Sequence, residues 1–516
     1  MTAAYDALLV DPRASLGWLI EFTAHNVATD LDETVRLSTF GFTSEPSDTP
    51  ANEPYEARVK SALNFERHMY RRGGRIGRSS QPSFGEIVLV NLDRALTKYT
   101  NPAQYLIRGR KVTAMLGGTE DYALVDFGTP LKEGRVKDFV ARNGQLRLLI
   151  RDLQELFERA VQPNKYAGTG GNEGGAELKD KNKPIGYGDI FNCPGVPIDP
   201  ANGVWQLHDG KIKSLKAVRD KGLVKTLTTD YTVDLNTGLV TLLFTPTDVR
   251  FDFEGDNTGS VYVESFADIL ERVVEAITGL TVNSTAVTTM NTANSAPCNY
   301  WCGTEKISIR QMLDDLADGP GAFFGDNFNA QVDLGRLEAP SGTPAIEFFG
   351  NQGIASGNVN NILAGTLEPV ATVEPCHTLR QAYQRNWGVQ SRDSLDASVS
   401  EADKDKYSTE WRFKSDSDAT VLDDYPEAKE QTWYGGFSNA ADADTESQRK
   451  FALYKVAQEV FKFTARAIPF KLGINDVIKI THTDHNLSTG KLFRVLGLAI
   501  DADSRKVEVW VWRPST

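Results

Sequence analysis

The segment that decides the fold class lies near the end of the chain. Three runs follow one another there, FKLGINDVIKITH (470–482), KLFRVLGLAID (491–501) and KVEVWVW (506–512). They are rich in β-branched and aromatic residues, which favour strands, and polar turn residues separate them. This order predicts consecutive strands of a small barrel or curled sheet.

The same strand pattern recurs through most of the chain. Apolar or alternating runs occur at GEIVLVNLD (85–93), YLIRGRKVTAMLGG (105–118) and NGQLRLLIRD (143–152). Two hairpins are predicted farther along, in KIKSLKAVRDKGLVK (211–225) and YTVDLNTGLVTLLF (231–244). In both, residues that tolerate positive φ lie between two strand-like halves, where a tight turn needs them.

Three segments have helical periodicity instead. SFADILERVVEAITGL (265–280) and SIRQMLDDLADG (308–319) each begin with a capping serine and place apolar residues on one face. TESQRKFALYKVAQEVFKFTARAI (445–468) predicts a longer helix with Thr445 as its N-cap. The predicted fold class is therefore mainly β with a few helices, in a β/α+β multidomain protein.

Length and composition indicate several folded domains. The 516 residues exceed what one hydrophobic core serves, and 40% are hydrophobic and 24% charged. The net charge of −13 disfavours tight nucleic-acid binding, which needs positive charge against phosphates. No apolar run is long enough for a bilayer, so we expect no membrane anchor. The polar stretches 44–54 and 398–409 are expected to be disordered or mobile.

A glycine-rich segment, YAGTGGNEGGAELKDKNKPIGYG (166–188), raises the question of phosphate binding. A dinucleotide fingerprint counted from Gly168 needs a glycine where Glu173 stands. A P-loop counted from Gly170 needs a lysine after its second glycine, where Ala176 stands. We therefore predict a flexible surface loop here rather than a phosphate site.

An acidic cluster in RFDFEGD (250–256) contains the first candidate for chemistry. Asp252 and Glu254 are two residues apart, so in an extended strand their side chains point to one face. Together with Asp256 they could bind calcium or act as a glycosidase pair. Charged residues at a strand edge are the alternative interpretation, and it is the commoner one.

Histidines supply the second candidate. His482, Asp484 and His485 in THTDHN are residue types that ligate zinc, although a turn between two strands is the commoner explanation. Cys376 and His377 are direct neighbours, and neighbours in sequence seldom form a thiol–histidine catalytic pair.

The cysteine spacing matches no zinc finger or ribbon, so buried apolar thiols are expected, with a disulfide or a shared metal as the alternative. The cysteines are Cys193, Cys298, Cys302 and Cys376. No nucleophile elbow and no His-Glu-x-x-His motif occurs in the sequence. The chain is therefore predicted not to be an enzyme, and no catalytic, cofactor-binding or metal-binding residue is assigned.

Three segments together resemble one known family. The first includes TVRLSTFGF (34–42), GEIVLVNLDRAL (85–96) and YLIRGRKVTAMLGG (105–118). The second is the glycine-rich block with its continuation to Asp199, followed by WQLHDG, and the third is the C-terminal run from 472 to 512. They resemble the hub, or tail-tip, proteins of bacteriophage baseplates in the long-tailed phage and gene-transfer-agent lineages.

The resemblance implies tube-like β-barrel domains with small inserted domains. We expect a tube-like β domain with an N-terminal arm at 1–165 and an inserted small β domain at 166–264. An α+β domain follows at 265–340. A second tube-like β domain, with the long helix and the C-terminal barrel strands, occupies 341–516.

The implied function is that of a virion structural protein, made in the host cytoplasm and located at the tail tip or baseplate. A homotrimer would close the distal end of the tail tube, take part in host cell attachment and open for DNA ejection. Implied partners are the tail tube or distal tail protein, the tape measure protein and other baseplate or tail-fibre proteins. DNA would pass through the lumen without tight binding, and Lys179, Lys181 and Lys183 would form a solvated or inter-subunit face.

Two other classes of function stay open. A peripheral receptor- or glycan-binding tail protein would use exposed aromatic rings to stack on sugars. The tryptophans considered for this role are Trp301, Trp387, Trp411 and Trp433. A cell-wall hydrolase would instead use Asp252 and Glu254 as its carboxylate pair.

Overall fold

The computed structural model describes residues 2–11, 13–69, 83–120, 122–327, 329–351, 360–501 and 504–515. Strands dominate these residues, and they form several separate sheets with their own hydrophobic cores. The predicted class, mainly β with a few helices in several domains, is confirmed.

The strands are numbered in chain order. The first group is β1 (Leu16–Asn26), β2 (Leu31–Ser38), β3 (Phe42–Thr43), β4 (Pro54–Ala57), β5 (Val59–His68), β6 (Phe84–Val90), β7 (Tyr105–Leu106), β8 (Lys111–Gly118), β9 (Gly128–Arg142) and β10 (Gln145–Arg151). The middle group is β11 (Ile185–Cys193), β12 (Val196–Asp199), β13 (Val204–Gln206), β14 (Ile212–Asp220), β15 (Leu223–Val224), β16 (Tyr231–Asp234), β17 (Leu239–Leu242), β18 (Val249–Asp256), β19 (Thr281–Val282), β20 (Asn299–Cys302), β21 (Ala322–Asp326) and β22 (Gln331–Arg336). The last group is β23 (Ile346–Gly350), β24 (Glu368–Val373), β25 (Cys376–Tyr383), β26 (Arg412–Ser417), β27 (Lys429–Trp433), β28 (Gln458–Arg466), β29 (Val477–His482), β30 (Lys491–Asp501) and β31 (Lys506–Pro514).

The helices are fewer than the strands. The α-helices are α1 (Ala3–Val10), α2 (Phe266–Thr278), α3 (Ser284–Ala293), α4 (Ile309–Ala317), α5 (Glu401–Ser408), α6 (Val421–Asp424) and α7 (Ala440–Tyr454). Short 3₁₀-helices include Ala95–Thr100, Leu124–Asp126, Leu153–Glu158, Gly171–Glu173, Ala176–Leu178, Pro200–Asn202, Thr258–Ser260, Arg392–Ser394 and Ile468–Lys471.

One 16-stranded sheet joins the two ends of the chain. Its main path runs β24-β28-β31-β30-β5-β6-β10-β9-β8-β1-β2-β4-β3, with β29 and β23 branching from β30 and β7 pairing with β1. The join is the antiparallel pairing of β5 with β30, from Asn64 opposite Asp501 to His68 opposite Gly497. Among the described residues this sheet is open and branched and does not close into a barrel.

The C-terminal strands form because successive side chains point to opposite faces of the sheet, and both faces of β31 are covered by a hydrophobic core. In β31, Val507, Val509 and Val511 are buried in one core, while Trp512 packs into another on the opposite face. The three consecutive strands predicted from the sequence are β29, β30 and β31, which pair in that order. The predicted domain boundaries at 165, 264 and 340 stay a prediction. The β5–β30 pairing places strands of the first and last predicted domains in one sheet.

The middle of the chain forms smaller sheets and a helical core. One sheet has the order β15-β14-β18-β11-β20, and another has β12-β13-β17-β16. Both predicted hairpins are present, and their turns contain Gly222 and Gly238 at positive φ. Both predicted serine caps are also confirmed, because Ser265 accepts from the Asp268 amide and Ser308 from the Gln311 amide.

The long helix predicted at 445–468 is wrong at both ends, and Thr445 lies inside the helix rather than at its N-cap. The helix α7 begins after Asn439, whose side chain accepts from the Asp442 amide, and it ends at Tyr454. The residues that follow form β28, between β24 and β31. Phe461, Phe463 and Ala465 are buried in one core and Val460 in another, so a two-residue alternation decides this segment.

The stretch 398–409, expected to be mobile, is also structured. It contains α5, which Ser400 caps by accepting from the Asp403 amide. Tyr407 is buried, and its ring stacks on Phe191 with a centroid distance of 6.1 Å. In the other stretch, 44–54, Ser44 is buried and donates to the Pro50 carbonyl oxygen at 2.6 Å. The polar composition of both stretches predicted mobility, but contacts with distant residues or within the loop hold them in place.

Candidate functional site

The glycine-rich segment is held in shape by hydrogen bonds among its own residues. The Gly168 amide donates to the Glu173 carbonyl oxygen at 2.9 Å, and the Ala167 amide donates to the Glu173 carboxylate at 3.1 Å. Lys183 pairs with the same carboxylate at 2.8 Å, and this bond holds the pKa of Glu173 below its ordinary value. Lys179 and Lys181 are exposed, as a solvated face requires, whereas Lys183 is partly buried.

The candidate acids Asp252 and Glu254 share one face of β18, as the spacing predicts, but each has its own cationic partner. Asp252 accepts from Arg219 at 2.6 Å and from the Asn192 amide at 2.7 Å. Glu254 accepts from Ser214 at 2.6 Å and from Lys213 at 3.0 Å. Burial acts to raise the pKa of Glu254, but these two hydrogen bonds hold it below its ordinary value. An ionised, paired carboxylate is unsuited to act as a general acid.

The third acid of that cluster lies in a separate buried contact. Asp256 pairs with Arg272 at 2.5 Å and lies 3.6 Å from the buried ring of His208. The Gly186 amide donates to Nδ1 of His208 at 3.0 Å, so this ring nitrogen is the acceptor. The group fastens β18 and α2 to the start of β11, a connection that the sequence pattern does not indicate.

The two candidate histidines do not converge. His482 is buried at the end of β29, and its Nδ1 accepts from the Asp484 amide at 3.0 Å. Burial lowers the pKa of His482, which favours the neutral ring. His485 instead packs its ring against Phe461 at 5.3 Å. Within the described ranges, no group of three or more His, Cys, Asp or Glu residues is placed to hold a metal ion.

The four cysteines are free and buried, as the thiol interpretation predicts. Burial raises the pKa of Cys298 to about 12 and that of Cys376 to about 11, and it raises the pKa of Cys193 and Cys302 as well. His377 directs Nδ1 to the Thr378 hydroxyl at 2.9 Å rather than to the neighbouring sulfur. These thiols therefore lack the properties of nucleophiles.

We expect the native protein to resist thiol reagents. At pH 8 a disulfide reagent such as Ellman's should label none of the four cysteines within minutes, because each is buried and protonated. In denaturant all four should react at the rate of a free thiol. Rapid labelling of the native chain would contradict the burial of these side chains.

A surface of exposed apolar side chains lies at one end of the large sheet. We call it the apolar row, and it consists of Val27, Leu31, Leu92, Leu106 and Val140. Leu92 is 79% exposed and Leu31 is 65% exposed. These residues lie at one end of the strands of the sheet, where β1, β6 and β9 end and β2 begins, and the Arg110–Asp32 and Arg108–Asp138 ion pairs lie at the same end. Exposed apolar surface of this kind is typical of protein–protein contact sites.

Sequence reasoning missed the apolar row because Leu92 and Leu106 lie in runs that predict buried strands and no pattern singled out the other members. Leu92 belongs to GEIVLVNLD, where the periodicity alone places it in the core. Only the strand topology places these exposed side chains at the same end of the sheet.

The four tryptophans separate into two kinds. Trp301 and Trp433 are buried, and the indole of Trp301 donates to the Leu207 carbonyl oxygen at 3.0 Å. Trp387 and Trp411 instead line a cavity of about 230 Å³ near the C-terminal end of α4. The two core tryptophans are therefore unavailable for stacking on sugars.

Solved structures of tail proteins match this chain over most of its length. A prophage MuSo2 43 kDa tail protein from Shewanella oneidensis is 10% identical, with 97% of this chain and 99% of that chain covered and a TM-score of 0.44. A tail protein from Neisseria meningitidis is 7% identical, with 96% of each chain covered and a TM-score of 0.41. A chain of a native gene transfer agent virion is 11% identical, with 65% and 85% covered and a TM-score of 0.43.

No protein-family model matches the chain, and no curated protein matches it. In the described part of the chain, no helix is both long and apolar enough to cross a bilayer.

Proposed function

We propose that this chain is a structural component of a phage-type tail tip or baseplate, a central hub that closes the distal end of the tail tube. The observation that supports this most directly is the β5–β30 pairing, which fixes strands from both ends of the chain in one sheet. A mechanical part needs such a join, because load between separate domains would otherwise fall on flexible linkers.

Two tube-like β units in each chain would give a reason for a threefold assembly. If each chain carries two tube-like β units, at 1–165 and 341–516, three chains supply six near-equivalent units around one axis. A homotrimer could then match a hexameric tube while each chain keeps a single fold. The negative charge of −13 suits a lumen through which DNA passes without tight binding.

The apolar row supplies the contact surface in this proposal. Its side chains are exposed in the single chain, and burying them against a second copy or against the tail tube stabilises the assembly. The partners proposed are the tail tube or distal tail protein, the tape measure protein and other baseplate or tail-fibre proteins. The protein would be made in the host cytoplasm, function in the virion and catalyse no reaction of its own.

We expect the purified chain to form trimers that depend on the apolar row. Glutamate at both Leu31 and Leu92 should convert trimers to monomers, because it places charges in a surface that must lose water. Mass photometry measures the change, and an unchanged circular dichroism spectrum shows that the fold is intact. Val224→Glu is the control, since Val224 is 69% exposed but lies outside the row.

Two results would contradict the proposal. The first is a wild-type chain that stays monomeric both alone and with its tail tube protein. The second is a cryo-electron microscopy map of the particle that places the chain away from the central axis.

A further inference from the structure

The cavity near α4 has the properties of a small-ligand site. It is bounded by α4, by the loop after β25, by the start of β26 and by the loop after β27. Its volume of about 230 Å³ lies below the range of about 300 to 1,000 Å³ for drug-sized ligands, so it suits one small ring. Gly435 and Gly436 line it, and a side chain is excluded at Gly435 because a Cβ would lie 2.2 Å from the Gly319 Cα.

Aromatic rings form one side of this cavity. Trp411 and Tyr434 meet edge to face with ring centroids 5.6 Å apart, and Tyr434 is 48% exposed. The Trp387 ring is fixed because its Nε1 donates to the Asn299 side chain at 3.1 Å. The Arg385 guanidinium lies 4.1 Å from the Trp387 ring centroid and 5.3 Å from that of Trp411.

Polar groups of both kinds complete the lining. Asp315 accepts from the Tyr300 hydroxyl at 3.2 Å, and Asp318 follows at the end of α4. Arg385 pairs with Glu410 at 3.3 Å, yet its buried Nε makes no hydrogen bond within the described residues. Carboxylates only accept and a guanidinium only donates, whereas a hydroxyl does both. The lining therefore suits a ligand with several hydroxyl groups.

We propose that this cavity binds one hexose ring, uncharged or carrying an amino group, as part of a carbohydrate. The C–H face of the sugar packs on Tyr434 and Trp411, and its hydroxyls reach Asp315 and Arg385. Acidic sugars are disfavoured, because the lining has two carboxyl groups, Asp315 and Asp318, and one arginine, which already pairs with Glu410. This site is independent of the hub role proposed above, since it lies on α4 and the β25–β27 unit and not on the apolar row.

Carbohydrate binding is tested on the full-length protein by saturation-transfer NMR and titration calorimetry. The probes are trimers of glucose, N-acetylglucosamine and glucosamine, the matching monosaccharides, and the trimer of galacturonic acid. We expect saturable binding of at least one uncharged or amino-bearing probe and none of the galacturonic acid trimer. Tighter binding of a trimer than of its monosaccharide would identify a polysaccharide as the source, and equal binding would identify a free sugar.

Variants at the cavity locate the binding site. Tyr434→Ala and Asp315→Asn should each weaken binding about tenfold, since one removes a stacking face and the other an acceptor. Trp411→Phe keeps an aromatic face and should retain most of the affinity. Tyr425→Ala is the matched control, because Tyr425 is 37% exposed and lies outside the cavity.

The proposal is overturned by any of three results. One is that no probe binds at millimolar concentration, and another is that only the acidic trimer binds. The third is that binding is equally strong in Tyr434→Ala, Asp315→Asn and wild type, with thermal melts showing all three folded.

Discussion

Replacing Lys450 by methionine is expected to lower the free energy of unfolding by about 4 kcal/mol. Lys450 is 1% exposed on α7. Its Nζ donates to the carbonyl oxygens of Asp318 and Gly319, both at 2.6 Å, and to the Gln381 side chain at 2.8 Å. Methionine fills a similar volume but leaves these three acceptors buried without that donor.

The position of the charge makes this loss larger than that of an ordinary hydrogen bond. The carbonyls of Asp318 and Gly319 follow the C-terminal end of α4, where unsatisfied carbonyl groups carry partial negative charge. The ammonium group also lies 4.2 Å from the Trp433 ring centroid, a favourable cation–π contact. Lys450 therefore holds α7, α4 and the β25–β27 sheet in one arrangement.

Urea unfolding followed by tryptophan fluorescence measures this effect. Lys455→Met is the control from the C-cap of the same helix, because Lys455 is 41% exposed and its pair with Asp418, at 3.3 Å, is open to water. We expect a change below about 1 kcal/mol for the control. Equal effects of the two substitutions would show that the buried contacts of Lys450 contribute no more than a surface ion pair.

The second large effect is expected where the two ends of the chain meet. Alanine at Gly497 should destabilise the protein by about 2 to 3 kcal/mol, because its Cβ would lie 2.0 Å from Nδ1 of His68. That ring cannot move away freely, since its Nε2 bonds Glu66 at 2.6 Å and it packs edge to face on Trp510 at 5.3 Å. The clash falls on the β5–β30 pairing itself.

A double-mutant cycle separates this clash from other effects of alanine. In a His68→Ala background the space opposite Gly497 is vacant, so Gly497→Ala should cost less than about 1 kcal/mol there. Gly473→Ala is a further control, because its nearest contact, with an Asp476 carboxylate oxygen, would be an ordinary 3.6 Å. Thermal melts of the four variants and wild type give the coupling, and additive effects would contradict close packing at the join.

The join also connects this stability test to function. If β5–β30 pairing is what keeps the two β units in one rigid body, Gly497→Ala should reduce trimer formation before it unfolds either unit. Mass photometry at temperatures below the melting transition distinguishes the two events. Trimers that persist while the melting temperature falls would show that assembly does not depend on the join.

Local features were determined by the sequence alone. The caps at Ser265 and Ser308 and the turn at Gly238 are satisfied within a few residues, so nearby sequence suffices to predict them. The mainly β class follows in the same way from composition and alternation. The burial of the four cysteines agrees with the prediction from their spacing.

Only the tertiary structure decided which distant segments meet. The residues of β28 form a strand because β24 and β31 lie on either side, although their apolar spacing also fits a helix. The β5–β30 join, the apolar row and the cavity beside α4 each bring together residues far apart in sequence. The physical reason is that hydrophobic burial and strand pairing depend on which surfaces remain uncovered after local structure has formed. The pattern of residues along one segment does not show which distant segment will cover it.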